Sequence, residues 1–284
     1  MRFELAGSLI HPDPLVLTYR SDDIFIPSEY MDLGYTHFEV ICIGGGGGKG
    51  GGIDTENTGT TIRNYGGAGG GGGYHRVRGL LSALLLYCPV IVGVAGADGA
   101  DHISNPASTT DGEDGEASTF NTSTCRASGG KGGKRAQSNS TTVTTSADGG
   151  AGGIGNRVIA GGGALGGVAG TPTVTGPGTP GTNGEDGTIF NDIGKGGGGG
   201  AGGVGLYSGI ACNAATSGGR GSYNPGDTAV YGSGNSPTND PVTGASLIVP
   251  GGASGAKAAP LNGLPSVYGR SSEAGAVVIR LSAE

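Results

Sequence analysis

Glycine dominates whole stretches of this chain: residues 44–52, 66–73, 129–133, 149–155, 161–170 and 194–205 are little else. Ordering one backbone residue costs about 1–2 kcal/mol, and glycine, the freest residue, loses the most. A bare glycine has no side chain to bury, so only its peptide group can offset that cost. A backbone hydrogen bond contributes about 0.5–1.5 kcal/mol net, and a Cα–H···O contact about 0.5–1 kcal/mol. Ordered glycine runs therefore require that nearly every peptide group finds a partner. With 35% hydrophobic residues, 5% aromatics and no Trp among 284 residues, a large apolar interior is not available as a substitute. The sequence predicts a cooperative lattice of backbone hydrogen bonds.

The few side chains inside the runs report a period. Tyr65, Ala68 and Tyr74 share one register modulo three, as do Lys131 and Lys134, and Ala151 and Ile154. Lys195, Ala201, Val204 and Tyr207 share another, with Leu206 departing, and Gly93, Gly96 and Gly99 repeat at the same spacing. A strand has period two and an α-helix 3.6; polyproline-II geometry has three residues per turn and about 3.1 Å rise, with no internal hydrogen bonds. The expectation is a layered bundle of polyglycine-II helices, each with bare faces toward neighbours and a substituted face outward. The barest stretch, Gly44–Gly48, is expected in the middle layer. At that rise, run 44–52 is about 28 Å long and run 194–205 about 37 Å. Collagen does not fit, because no triplet is sustained.

Ordinary strands read at the two ends of the chain: HFEVICI (37–43), YHRVR (74–78), PVIVGV (89–94) and AVVIRLS (276–282), the last alternating cleanly. LVLTY and DIFIP add shorter pieces, and LLSALLLY (80–87) reads equally as buried strand or short helix. The predicted fold class is mostly β and irregular, with little or no α-helix: a small β-sandwich base from both chain ends, carrying the glycine bundle and long polar loops. The domain division is 1–36 as an attachment segment, 37–96 with 275–284 as the base, and 97–274 as the projecting bundle. GEDGEASTFN (112–121) and GEDGTIFN (184–191) echo each other and read as two equivalent turns.

Several function classes find no support. The net charge of −7 disfavours nucleic acid, whose phosphates call for basic patches. The opening MRFELAGSLIHPDP reads as no export signal, and no stretch of 18 apolar residues suggests a membrane span. Cys42, Cys88, Cys125 and Cys212 lie far apart, without a CxxC pair, and read as buried free thiols. His11, His37, His75 and His102 form no metal-binding helix spacing. No GxSxG elbow occurs, and none of the Gly-Lys pairs completes a P-loop. The acid pairs Glu113/Asp114 and Glu185/Asp186 read as solvated turns rather than glycosidase carboxylates, which need a fixed separation across a groove. GADGAD and GEDG offer oxygen ligands for Ca²⁺ but lack a full calcium-loop pattern, so no cofactor is expected.

FEVICIGGGGGKGGG, GGAGGGGGYHRV, VIVGVAG and the closing GAVVIRL resemble the glycine-rich domain of bacteriophage minor tail proteins and tail-fibre tip adhesins. The resemblance covers 37–100 and 275–282, and the middle only in style. It implies a polyglycine-II sandwich whose loops bind a bacterial cell-surface receptor or glycan, a place in the virion tail beside other tail proteins, several copies (a trimer is the guess), and no enzymatic activity. Recognition favours polar loops bearing Tyr on a stiff base; the candidate receptor-binding residues are Phe190, Tyr207, Tyr223, Asn224, Tyr231 and Asn235. A purely structural tail-tip or fibre-joining part is the alternative. An ice-binding or cell-wall glycine-rich protein is a third reading, disfavoured because Thr clusters in loops such as 140–145.

Overall fold

The computed structural model describes residues 12–57, 60–64, 66–101, 109–139, 143–145 and 272–283, together with the short strands between 189 and 247 given below. In chain order these hold β1 (Leu15–Tyr19), β2 (Asp23–Phe25), helix α1 (Pro27–Met31), β3 (His37–Ile43), β4 (Ile53–Asn57), β5 (Thr60–Asn64), β6 (Tyr74–Leu80), β7 (Cys88–Ile91), β8 (Ser118–Phe120) and β9 (Cys125–Ala127). There follow β10 (Gln137–Asn139), β11 (Val143–Thr145), β12 (Ile189–Phe190), β13 (Ile193–Gly194), β14 (Val204–Tyr207), β15 (Ile210–Ala211), β16 (Ser222–Tyr223), β17 (Val230–Tyr231), β18 (Thr238–Asn239), β19 (Ser246–Leu247) and β20 (Ala276–Ser282). The chain is mostly β with little helix.

The sandwich base forms from two antiparallel sheets. One has the order β1-β20-β3-β6-β13-β12, so strands from both ends of the chain lie side by side at its heart. The other has the order β2-β7-β8-β9. Alternation along β3 and β20 aims Phe38, Val40, Cys42, Val277, Ile279 and Leu281 into one core with Phe25, Val90, Phe120 and Cys125 from the second sheet. Phe120 is the centrepiece, 5.9 Å from Phe25 and 6.2 Å from Phe38, ring to ring. The opposite face of β3 buries Ile41 and Ile43 with Tyr74, Ala276 and Val278.

The base draws on more of the chain than its ends. β8 and β9, from 118–127, belong to the second sheet, although the sequence reading placed that stretch in the projecting part. The first copy of the echo, GEDGEASTFN, is likewise not a turn, and the second GEDG lies outside the described residues. Residues 112–117 run extended beside other glycine segments and then enter β8, and in the second copy Ile189–Phe190 is again a strand. DIFIP divides, with Pro27 opening α1 at a position where a missing N–H costs nothing. That helix closes at Gly34, whose φ of +94° admits glycine readily; Tyr35 N–H then reaches back to Tyr30 O at 3.1 Å. LLSALLLY is neither expected form: β6 runs through Leu80, Leu81–Ala83 makes one 3-10 turn, and Leu85, Leu86 and Tyr87 stand exposed.

Beyond the sheets, segments 44–52, 66–73, 93–101, 109–117 and 128–136 lie side by side without forming ladders. Their bonding has a period of three. Gly44, Gly47 and Gly50 donate to Gly73, Gly70 and Gly67; Gly45, Gly48 and Gly51 donate to Glu116, Glu113 and Thr110. Gly46 donates to Glu273, while Lys49 and Gly52 donate to the carboxylates of Asp98 and Asp101. Every N–H of 44–52 is thus satisfied, in three directions, which a β-strand with its two edges cannot do. The carbonyls of Gly45, Gly48 and Gly51 accept from Gly130, Gly133 and Ala136, and those of Gly46 and Lys49 from Gly96 and Gly99. Residue pairing makes 44–52, 93–101 and 128–136 run one way and 66–73 and 109–117 the other.

Glycine is required by contact as well as by bonding. A Cβ on Gly69 would stand 2.0 Å from Gly47 O, and one on Gly72 would stand 1.9 Å from Gly44 O. The Hα of each points at that oxygen, the geometry of a Cα–H···O contact. The expected middle position of the barest run holds, since 44–52 touches all four other segments. The expected outward substituted face holds only in part: Lys131 and Lys134 are exposed, but Ala68 and Lys49 are buried. The runs 149–155, 161–170 and 195–203 lie outside the described residues.

Candidate functional site

The sequence-chosen residues are carried on the short strands that follow the glycine segments. Phe190 pairs with Ile193 in β12–β13, and that hairpin extends the six-stranded sheet through β6. Tyr207 in β14 lies opposite Ile210 on one side and Ile62 on the other. Tyr223 pairs with Val230 and Tyr231 with Ser222, so these two tyrosines occupy neighbouring rungs of one β16–β17 ladder. Tyr223 and Tyr231 are thus carried on one hairpin, one rung apart. Asn224 and Asn235 lie outside the described residues, as do Glu185/Asp186 and Cys212.

A recess of about 350 Å³ opens on the base where β3, β6 and β20 end, lined by His37, Phe38, Glu39, Arg78, Arg280 and Ser282, among others. Glu39 lies directly opposite both arginines in the ladder. Its Oε1 takes Arg280 Nη1 at 3.0 Å, and its Oε2 takes Arg78 Nε. His37 Nδ1 is 2.8 Å from Thr36 Oγ1. These groups satisfy one another across three strands, an arrangement that clasps the sheet and leaves a mildly cationic rim. Sequence reasoning missed it, because the partners lie 39 and 241 residues apart.

The acidic motifs serve the lattice. Asp98 and Asp101, from GADGAD, accept the N–H groups of Lys49 and Gly52 at 3.1 and 2.9 Å. Both also approach Lys49 Nζ, at 3.7 and 3.6 Å. Asp114, from the first GEDG, is not in a turn: its Oδ1 accepts Gly132 N–H at 2.8 Å, and its Oδ2 takes Lys131 Nζ. Asp111 repeats this three residues earlier with Arg135 N–H and Lys134 Nζ. A carboxylate in these places stands where a further carbonyl would, and the two Asp–Lys pairs follow the lattice period. Among the described residues, no three of His, Cys, Asp or Glu gather where they could hold a metal ion.

The transition from ladder to lattice depends on Ser118, fully buried. Its hydroxyl donates to Ile43 O at 2.6 Å and accepts Gly93 N–H at 2.9 Å. Val92 N–H goes to Asp22 Oδ1 at 2.8 Å. These side chains take over where β3 and β7 stop, which is why PVIVGV leaves its ladder after Ile91 and not after Val94.

No curated protein matches the chain. The family comparison does find a match, with a glycine-rich domain model over residues 28–282, which spans the whole of β3 through β20 and every glycine segment described above. A chain built in this way belongs to the glycine-rich domain family.

Proposed function

We propose that this chain is a non-enzymatic bacteriophage minor tail protein: an adhesin that binds the bacterial host surface through loops displayed on a lattice of polyglycine-II helices. The supporting observation is the three-way bonding of 44–52, in which no N–H is left over. Such a core is stiff without apolar bulk, and stiffness lets polar loops keep a binding shape at low entropic cost. Several copies per virion, as a symmetric oligomer, fit the habit of such assemblies.

The test is direct binding. The purified chain is mixed with a panel of bacterial cells and cell-envelope glycans, beside Tyr223→Ala and Tyr231→Ala variants. Truncating an aromatic anchor is expected to weaken binding about tenfold or more, with unchanged far-UV circular dichroism. Folded protein that ignores every cell and glycan would sink the adhesin reading.

One observation favours a second reading, a structural joint in the tail. Leu33, Leu85, Leu86 and Tyr87 are 57–64% exposed, and they sit at the His37 end of β3, opposite the end where the glycine segments begin. Exposed apolar residues grouped at one pole suit a protein contact. Loop substitutions that leave cell binding untouched, while Leu85→Ser/Leu86→Ser abolishes incorporation into particles, would select this reading.

A further inference from the structure

Cys42 and Cys125 come from different sheets, β3 and β9. Both are fully buried in the single core between those sheets. Cys42 lies directly opposite His75 in the β3–β6 ladder, and the Cys125 thiol donates to His75 O at 3.2 Å. The two side chains thus converge on one rung of the β3–β6 ladder from the two sheets, with the Cys125 thiol also 3.9 Å from Val40 O of β3, two residues from Cys42. Cys88 is buried elsewhere, against Leu85 O at 3.4 Å. Nothing in the lattice or in the proposed binding role uses the facing pair.

The pair is chemically asymmetric. Burial, then the hydrogen bond and charge of Cys125, push the Cys42 thiol up. Burial acts on Cys125 too, but hydrogen bonds from Cys42 and His75 outweigh it and bring this thiol below its ordinary value. Cys125 is the better thiolate and Cys42 the resolving partner.

We propose that Cys42 and Cys125 form an inter-sheet disulfide when the protein meets an oxidised low-molecular-weight disulfide such as glutathione disulfide. Cys125 thiolate attacks one sulfur of the small disulfide, making a mixed disulfide and releasing one small thiolate. Cys42 then gives up its proton, and its sulfur attacks Cys125 Sγ, forming the protein S–S bond and expelling the second small thiolate. The two protein protons end on the two small thiols, so two protein thiols are oxidised and one small disulfide is reduced. Because both sulfurs are fully buried, exchange runs during folding or through a partial opening of the sandwich. The bond ties β3 to β9 and closes a loop containing the whole described lattice apart from its last segment, 128–136, and residues 272–275.

The experiment refolds the full chain in oxidised or reduced glutathione, then denatures it and alkylates its free thiols. In the oxidised sample, two of the four cysteines are expected to resist alkylation, with the intact mass lower by two hydrogens and a linked peptide joining Cys42 to Cys125. Its melting temperature is expected to rise on the order of 10 °C and to fall back with dithiothreitol. Cys42→Ala abolishes the rise, while Cys88→Ala keeps it; peptide mapping of the unsubstituted chain decides the matter even where a variant fails to fold. Four alkylated cysteines after oxidising refolding, or a link through Cys88 or Cys212, would overturn the proposal.

Discussion

Asp98 accepts the backbone N–H of Lys49 at 3.1 Å and offers its other oxygen to the same residue's ammonium at 3.7 Å. One side chain thereby performs two tasks, completing the third direction of bonding around 44–52 and balancing a lysine that is 4% exposed. Removing it strands a buried peptide group and leaves the ammonium to Asp101 alone, at 3.6 Å. Asp98→Ala is expected to destabilise the chain by about 1–3 kcal/mol. Lys49→Met should cost less, since Asp98 and Asp101 keep their rod N–H donors. Chemical denaturation of the two variants checks the order, and the reverse order would refute this account of Asp98.

Glycine positions differ in what surrounds them, and thermal melts should separate them. A Cβ on Gly48 would stand 2.0 Å from Ala97 O, a backbone atom that cannot move without its whole segment. A Cβ on Gly79 would meet only the Phe38 ring edge, at 3.1 Å. Gly79→Ala is expected to fall within the ordinary overpacking range of about 1–3 kcal/mol, and Gly48→Ala above it or unfolded. Equal losses would mean that the lattice is looser than its bonding implies.

Ser118→Ala removes the one hydroxyl that serves Ile43 O and Gly93 N–H together. Both partners stay buried, so the expected loss is about 1–3 kcal/mol. Hydrogen exchange gives a sharper readout: the Gly93 amide should lose protection while core amides of β20 keep theirs. Unchanged exchange at Gly93 would rule out the bridging role.

Acid should loosen the lattice edge. Burial pushes the Asp111 carboxyl up, but the Arg135 N–H and the Lys134 ammonium outweigh it; for Asp114 the Lys131 ammonium and Gly132 N–H do the same. Both therefore lie below their ordinary value of 3.8. A lowered folded-state pKa adds stability that is fully present above the unfolded value and disappears as pH falls through the folded one. Side chains 44% and 53% exposed are screened, so each contributes below about 1 kcal/mol. The melting temperature of Asp111→Asn/Asp114→Asn should trail the parent above pH 3.8 and converge on it at lower pH. A constant gap would count against the linkage.

The strand ends show where local sequence suffices. HFEVICI and AVVIRLS occupy the strands 37–43 and 276–282 as read, because alternation over seven residues leaves one register that buries the apolar face. PVIVGV does not stop where its composition suggests, since Asp22 and Ser118, 70 and 25 residues away, take its amides. The GEDG acids read as turn residues because adjacent carboxylates usually are. Only the arrival of 128–136 alongside gives Asp114 the Gly132 N–H and the Lys131 ammonium to hold. The candidate site was legible only as tyrosines of polar loops, and their place in the short strands 204–207, 222–223 and 230–231 needed the tertiary structure.

What the chain determines by itself is the need for the lattice and its period, since bare peptide groups must pair and the rare side chains recur every third residue. Which segment pairs with which, in what direction, and which thiols and carboxylates meet were decided by tertiary structure. A glycine run carries no side-chain code to select its neighbour, so the sheets that anchor each run at its ends set the assembly.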